Sequence, residues 1–394
     1  MPRSIPALIQ PALLVWARES AGLSIEEAAI KAEVEPDTLR QWEKTEGGRP
    51  TIAKLRKLGE IYKRPIAVFF LPEPPKGFDA QREFRRLAGV TPETESAELR
   101  LALRMALFRR EAARELYTLL GEAIPEVHAQ LDPDDDPEDV ARAIRELLGV
   151  TWEIQLEWPS AYAALNGWRE AVERLGVLVF QTGGIELGEM RGTSIPTGPL
   201  PVILVNNVDA PHGRIFTILH EFIHILLASS GHHTSAMEGR RLPEEQLLER
   251  ASNRFAAAVL LPRRVFLEEA TRFPEVLRGN DDALRRFANR IKASPEAILR
   301  RLVSLNRVAE ALYRQKRKAW QDRDWFATSA SEGGPPIQVR VVSAVGRSFV
   351  SLVLDGYQRN MISSADVSDY LGIQLKYLDR IAGELATKPG ARAF

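Results

Sequence analysis

Along most of this chain apolar positions recur at intervals of three and four, and that spacing predicts helices. Between residues 7 and 72 it marks several short ones, in "LVWARESAGLSIEEAAIKA" and "PTIAKLRKLGEIY", with Gly22 and Pro50 as punctuation. The three prolines of "FFLPEPPKGFD" stop the pattern and set a first boundary. From Glu83 to about Arg174 the pattern is helical again, interrupted by "LDPDDDPED", whose Asp134 to Asp136 read as a solvated run ahead of a helix N-terminus. At Leu175 the character changes. "LGVLVFQTGG" is a short β-rich run ended by glycines, "PVILVNN" is a second, and "GEMRGTSIPTGPLP" between them reads as turns or an irregular strand. Helical spacing returns from Arg214 to about Gln321, and "TSASEGGPPIQ" forms a second linker. Beyond it "VRVVSAVGRSFVSLVLDGY" reads as strand or mixed structure, and "SSADVSDYLGIQLKYLDRIAGEL" as two closing helices. The expectation is a mostly helical α+β fold with a small sheet, divided at residues 1–72, 73–174, 175–321 and 322–394.

One predicted helix breaks the usual separation of apolar and polar faces. "FTILHEFIHILLASS" is apolar nearly all the way round, yet carries His220, Glu221 and His224 at its centre. These residues spell HExxH, which puts two imidazoles one turn apart on the same face, where both can reach a single ion. Glu221, one position on, points beside that ion and can take a proton from a water that the ion has made more acidic. An ionised glutamate in an apolar helix costs several kcal/mol unless it meets a cation or good hydrogen bonds, roughly as for any buried charge. A divalent metal answers that need for all three side chains together.

A catalytic zinc needs a third protein ligand and an open fourth position. Downstream, "PEEQLLERASNRFAAAVLLP" offers Glu249 in a helix with Ala251, Ala256, Ala257 and Ala258, small residues that let helices approach closely, and Glu245 one turn earlier is the alternative. Asn253, one turn after Glu249, is placed to hydrogen-bond and orient a ligand. His212, His232 and His233 flank the HExxH helix as cleft-bordering or ordinary surface residues, and one of them, or Arg214, could donate to a developing oxyanion.

Composition narrows the chemistry further. Of the 394 residues 53 are basic and 53 acidic, so no global field draws the chain to nucleic acid and any such contact must be local. With no cysteine, disulfides and thiolate cages are excluded and a metal must be held by His, Asp or Glu. The missing cysteines fit a reducing cytoplasm. Prolines break the apolar start "MPRSIPALIQPALLVWARES", and no run approaches the roughly 18 to 20 apolar residues that span a bilayer.

From about Leu175 to Arg264, one quarter of the chain, the sequence resembles the ImmA/IrrE family of metallopeptidases. The residues that carry the resemblance are "RGTSIPTGPLPVILVNNVDAPHGRIFTILHEFIHILL" followed by "ERASNRFAAAVLLP", with Ser252 where the family usually has alanine. The resemblance implies a zincin-like, gluzincin-type core with Zn2+ held by His220, His224 and Glu249, and with Glu221 as general base. It also implies a role: such proteins cut or otherwise inactivate a partner, a transcriptional repressor, in response to stress or a mobile-element signal.

The N-terminal stretch is similar to the helix-turn-helix of the Xre/Cro repressors, with "GLSIEEAA" at its start, a turn near Val34, a recognition helix in "EPDTLRQWE" and a core of Leu23, Ala28, Val34, Leu39, Trp42, Ile52, Leu55 and Leu58. Thr38, Arg40 and Gln41 are the candidate DNA contacts, but Glu35 and Asp37 stand where a recognition helix meets phosphates, and their charge opposes binding. The reading that follows is a zinc-dependent endopeptidase acting on a protein substrate. Two alternatives stay open: a DNA-binding transcription regulator whose metal site is structural or degenerate, and an antitoxin-like protein that grips its partner without cutting it.

Overall fold

Small polar residues and prolines mark where the helices begin. Ser24, Asp136, Thr151, Ser160, Asn280, Ser294 and Ser363 each accept a hydrogen bond from a first-turn N–H, satisfying donors that have no partner inside the helix. Pro36, Pro137, Pro211 and Pro295 stand at the first helical position, where a missing N–H costs nothing. The computed structural model describes residues 6–45, 47–62, 64, 66–73, 96–229, 242–321 and 334–386. The two expected linkers, 69–79 and 328–338, and the start of the helical stretch at Glu83 fall largely outside these.

Contacts divide the chain into two units, Met1–Met105 and Ala106–Phe394. In the first, α1 (Pro11–Ser20), α2 (Ile25–Ala32), α3 (Pro36–Trp42) and α4 (Ile52–Tyr62) surround a core of Leu13, Leu14, Ala17, Ala28, Leu39, Leu55, Leu58 and Tyr62. Val34, Trp42 and Ile52, expected in that core, pack against its edge. Arg18 draws α1 to the end of α3 through Glu43 Oε1 at 2.7 Å. Helix α5 (Ala97–Leu120) has residues in both units.

The second unit is built on a three-stranded sheet: β1 (Leu178–Thr182), β2 (Gly192–Ile195) and β3 (Val202–Asn206), in the order β1-β3-β2. The central strand, β3, runs parallel to β1 and antiparallel to β2, and all five of its residues are buried. A strand covered on both faces needs a continuous apolar run, and "VILV" supplies one. Helices α6 (Pro137–Leu148), α7 (Trp152–Glu157) and α8 (Ala161–Glu173) precede the sheet; α9 (Pro211–Leu227), α10 (Leu242–Leu260), α11 (Arg263–Thr271), α12 (Asp281–Ile291), α13 (Pro295–Ser304) and α14 (Glu310–Gln321) follow it. One hydrophobic cluster takes in residues from Leu131 to Trp320 and joins these helices to β1 and β3.

Helix α9 lies at the centre of that cluster, packed on α8, α10, β2 and β3, and its neighbour α10 rests on α6. Carbonyls left over at the end of α10 are collected by buried polar groups. Arg145 of α6 donates to Val259 O at 2.7 Å and to Gln155 Oε1 at 2.9 Å, while Gln155 donates to Leu260 O at 3.2 Å and Ile291 O at 2.7 Å. This network fixes the end of α10, and hence the helix that carries Glu249.

The expected strand-like segment after the second linker is helical instead. Residues 337–358 form α15 (Ile337–Val345) and α16 (Arg347–Gln358), followed by α17 (Ser364–Leu371) and α18 (Leu378–Ala386). Its valines suggested a strand, but helix propensity penalises valine by only a few tenths of a kcal/mol, roughly, and burial outweighs that. Phe349, Val350, Val353 and Leu354 recur at helical spacing and are all buried. No single helix among the described residues is long and apolar enough to cross a membrane.

Candidate metal centre

Two imidazoles and a carboxylate converge between α9 and α10. His220 and His224, a turn apart on α9, bring their Nε2 atoms to 3.1 Å from each other. Glu249 of α10 places Oε2 at 3.5 Å from His220 Nε2 and Oε1 at 3.2 Å from His224 Nε2. One donor atom from each side chain falls within a common 4.8 Å. Tetrahedral ligands at a zinc distance of about 2.0–2.1 Å would lie about 3.3–3.4 Å apart. The 3.1 Å between the two nitrogens and the 3.5 and 3.2 Å from them to the two carboxylate oxygens bracket that spacing, so the group fits one small divalent ion. The donor set of two nitrogens and one oxygen suits zinc as well as other divalent metals.

The electrostatics point the same way. Hydrogen bonds from His220 and then His224 hold the Glu249 carboxyl well below the usual carboxylate range. Burial disfavours the charged form of His220, but the hydrogen bond to Glu249 and the nearby Glu221 outweigh it, and its pKa is raised. An anionic pocket that attracts a proton here attracts a metal cation for the same reason. The histidine side chains are only 15% and 13% exposed, against 51% for Glu249, so the centre opens on the carboxylate side.

Glu221 is buried, and its Oε2 accepts a hydrogen bond from Ser194 Oγ at 2.8 Å. Ser194 sits on the edge strand β2, which lies unusually close to α9. A Cβ on Gly192 would stand 2.2 Å from Thr217 Cγ2 and 3.6 Å from Glu221 Cγ. Only glycine permits that approach, so β2 must bring Ser194 to Glu221 with no side chain between them. Gly192→Ala is therefore expected to cost about 1–3 kcal/mol of stability, as overpacking does, and urea denaturation measures it. An unchanged midpoint would show that β2 can withdraw freely.

The other sequence candidates fall into distinct places. Asn253 is exposed and donates to the backbone carbonyl of Glu249 at 2.8 Å rather than to its carboxylate. Arg214 is committed to Gln181 Oε1 at 2.6 Å and lies over the ring of Tyr162. Burial, reinforced by the charge of Lys292, pushes His212 down to about 4. His232, His233 and the side chain of Glu245 lie outside the described residues. In the first unit Thr38 and Gln41 are exposed, while Arg40 is engaged by Asp37 at 2.7 Å and by Glu26.

Ser194 was missed by the sequence reading, because nothing in its spacing from Glu221 signals contact. Strand alternation alone put Gly192 and Ser194 on one face, and the sheet order decides which helix that face meets.

Residues 172–303 match the model of the Peptidase_M78 family, described as the IrrE N-terminal-like domain. Over 102 residues the chain is 36% identical to the radiation response metalloprotease IrrE of Deinococcus radiodurans. That alignment takes in 25% of this chain and 29% of the length of IrrE. The family match over the segment that holds the sheet and both site helices, together with the IrrE relative, supports a metallopeptidase domain of the ImmA/IrrE kind.

Proposed function

We propose that this protein is a zinc-dependent endopeptidase. In this reading His220, His224 and Glu249 hold the ion and Glu221 is the general base. The observation that carries it is the convergence of two Nε2 atoms, 3.1 Å apart, on the Glu249 carboxylate, whose two oxygens lie 3.5 and 3.2 Å from them, beside a buried glutamate. A bound zinc ion supplies Lewis-acid chemistry, polarising a scissile carbonyl and lowering the pKa of water.

The chain's own residues do the rest. Glu221 accepts a proton from the attacking water on the carboxylate oxygen that Ser194 leaves free, and later delivers it to the leaving amine. Ser194 keeps the other oxygen occupied, so the carboxylate presents one defined face. Glu249 has its two oxygens turned to the two imidazoles, which suits it to hold an ion rather than to move protons.

The substrate is a protein, and a partner transcriptional repressor is the candidate that the ImmA/IrrE resemblance supports. A role in a stress response follows the description of the IrrE relative as a radiation response protein. Metal analysis tests the core of this reading. Purified chain is expected to carry about one zinc per molecule, and His220→Ala to lose at least ten- to a hundredfold in zinc affinity. Protein that binds no divalent metal, or a His220→Ala variant that binds it equally well, would end the proposal.

A further inference from the structure

We infer that Ser252 is a positioning residue that accepts the Nδ1 proton of His224 when an ion occupies Nε2; the inference rests on the metal site proposed above. The two histidines meet Glu249 and each other through Nε2, so Nδ1 of each ring points away from the centre. On the far side they differ. His224 Nδ1 lies 3.4 Å from Ser252 Oγ, while His220 Nδ1 is buried with no hydrogen-bond partner among the described residues.

A neutral imidazole carries its one proton on either nitrogen, and only the ring with the proton on Nδ1 can offer Nε2 to an ion. A hydroxyl can donate to Nδ1 or accept from it, so Ser252 serves either form, but once an ion replaces the proton on Nε2 the ring must carry its proton on Nδ1, and Ser252 Oγ is the acceptor beside it. Ser252 is completely buried on the face of α10 that meets His224 of α9, and Ala251 and Ala256 of the same helix are buried too. A hydroxyl in such a place needs a partner, and His224 supplies it. Alanine would fill the same space, form helix more readily and leave the Nδ1 proton unpaired. Serine in place of the alanine usual in the resembling family therefore adds an acceptor at little packing cost.

Ser252→Ala provides the test, because a purely structural serine predicts an unchanged or more stable protein with unchanged metal binding. The zinc dissociation constant, measured by competition with a chelator, is expected to rise about tenfold, the lower end of what loss of a ligand's hydrogen-bond partner costs. In the zinc-loaded protein the Nδ1 proton of His224, observed by 15N-resolved NMR, is expected to exchange with water faster than in the unsubstituted chain, as its partner is gone. Equal zinc affinity and equal proton exchange in Ser252→Ala would overturn the inference. His224→Ala, run beside it, separates the two levels. If that variant loses zinc while Ser252→Ala does not, the metal site stands and the positioning role falls; if His224→Ala keeps full affinity, both fall.

Discussion

Glu221→Gln is expected to abolish cleavage while leaving the metal in place. The amide has the shape of the carboxylate and can still accept the Ser194 hydroxyl, 2.8 Å away in the native chain, so local packing is preserved. What it cannot do is take up a proton. General-base catalysis contributes about 10²- to 10⁴-fold, and a loss in that range is the expected result. Because Glu221 is not among the three converging donors, zinc content is expected to match the unsubstituted protein. This separates the variant from His224→Ala, which removes a ligand. The measurement is a comparison of new protein N-termini, identified by labelling and mass spectrometry, in cells that produce either form. Fragments that appear with glutamate and vanish with glutamine identify substrates. The same fragments at the same rate with both forms would remove Glu221 from the mechanism.

Which parts of this site could be read from the sequence follows from how far apart its pieces lie along the chain. HExxH is local: a single helix with 3.6 residues per turn puts His220 and His224 on one face, and nothing else about the fold is needed. Glu249 required more, since two helices must be set side by side, and the alanines of α10 hinted at that approach without proving it. The structure brings Glu249 to the two imidazoles. Ser194 could not be found this way, because its meeting with Glu221 depends on β2 lying at the sheet edge and on Gly192 letting it close in. Asn253 shows the converse limit: helical spacing put it one turn from Glu249, but its amide found the nearer backbone carbonyl of its own helix. The segment 337–358 misled for a further reason. A buried helix rich in valine and a buried strand have nearly the same composition, and only the packing of Phe349, Val350 and Val353 decides between them.

The largest expected loss of stability comes from a pair that the sequence did not mark. Arg169 and Glu173, a turn apart on α8, form an ion pair at 2.8 Å with side chains 4% and 2% exposed. Arg169 also donates to the carbonyls of Ser343 and Val179, tying α8 to β1 and to α15. Gly346, which separates α15 from α16 with φ at +87°, leaves the space that Glu173 fills; a Cβ there would stand 2.3 Å from Glu173 Oε1. Removing the guanidinium strands a carboxylate in a dry interior, so Arg169→Ala is expected to cost about 3–5 kcal/mol. The loss should depend on pH. Burial already pushes the Glu173 carboxyl up from its ordinary 4.5, against the pull of Arg169. A raised carboxyl contributes stability that is fully present below its unfolded pKa and lost as pH rises through its folded one. Without Arg169 the folded pKa rises further, so the deficit of the variant is expected to be greatest at neutral pH and to shrink on acidification. Urea denaturation at neutral and mildly acidic pH measures this. Arg169→Met combined with Glu173→Leu removes both charges and is expected to recover most of the loss, since an apolar pair of similar volume often replaces a buried ion pair at no cost. A deficit that is the same at both pH values, or a double variant as unstable as Arg169→Ala, would mean that the two backbone carbonyls, and not the stranded carboxylate, account for what Arg169 holds together.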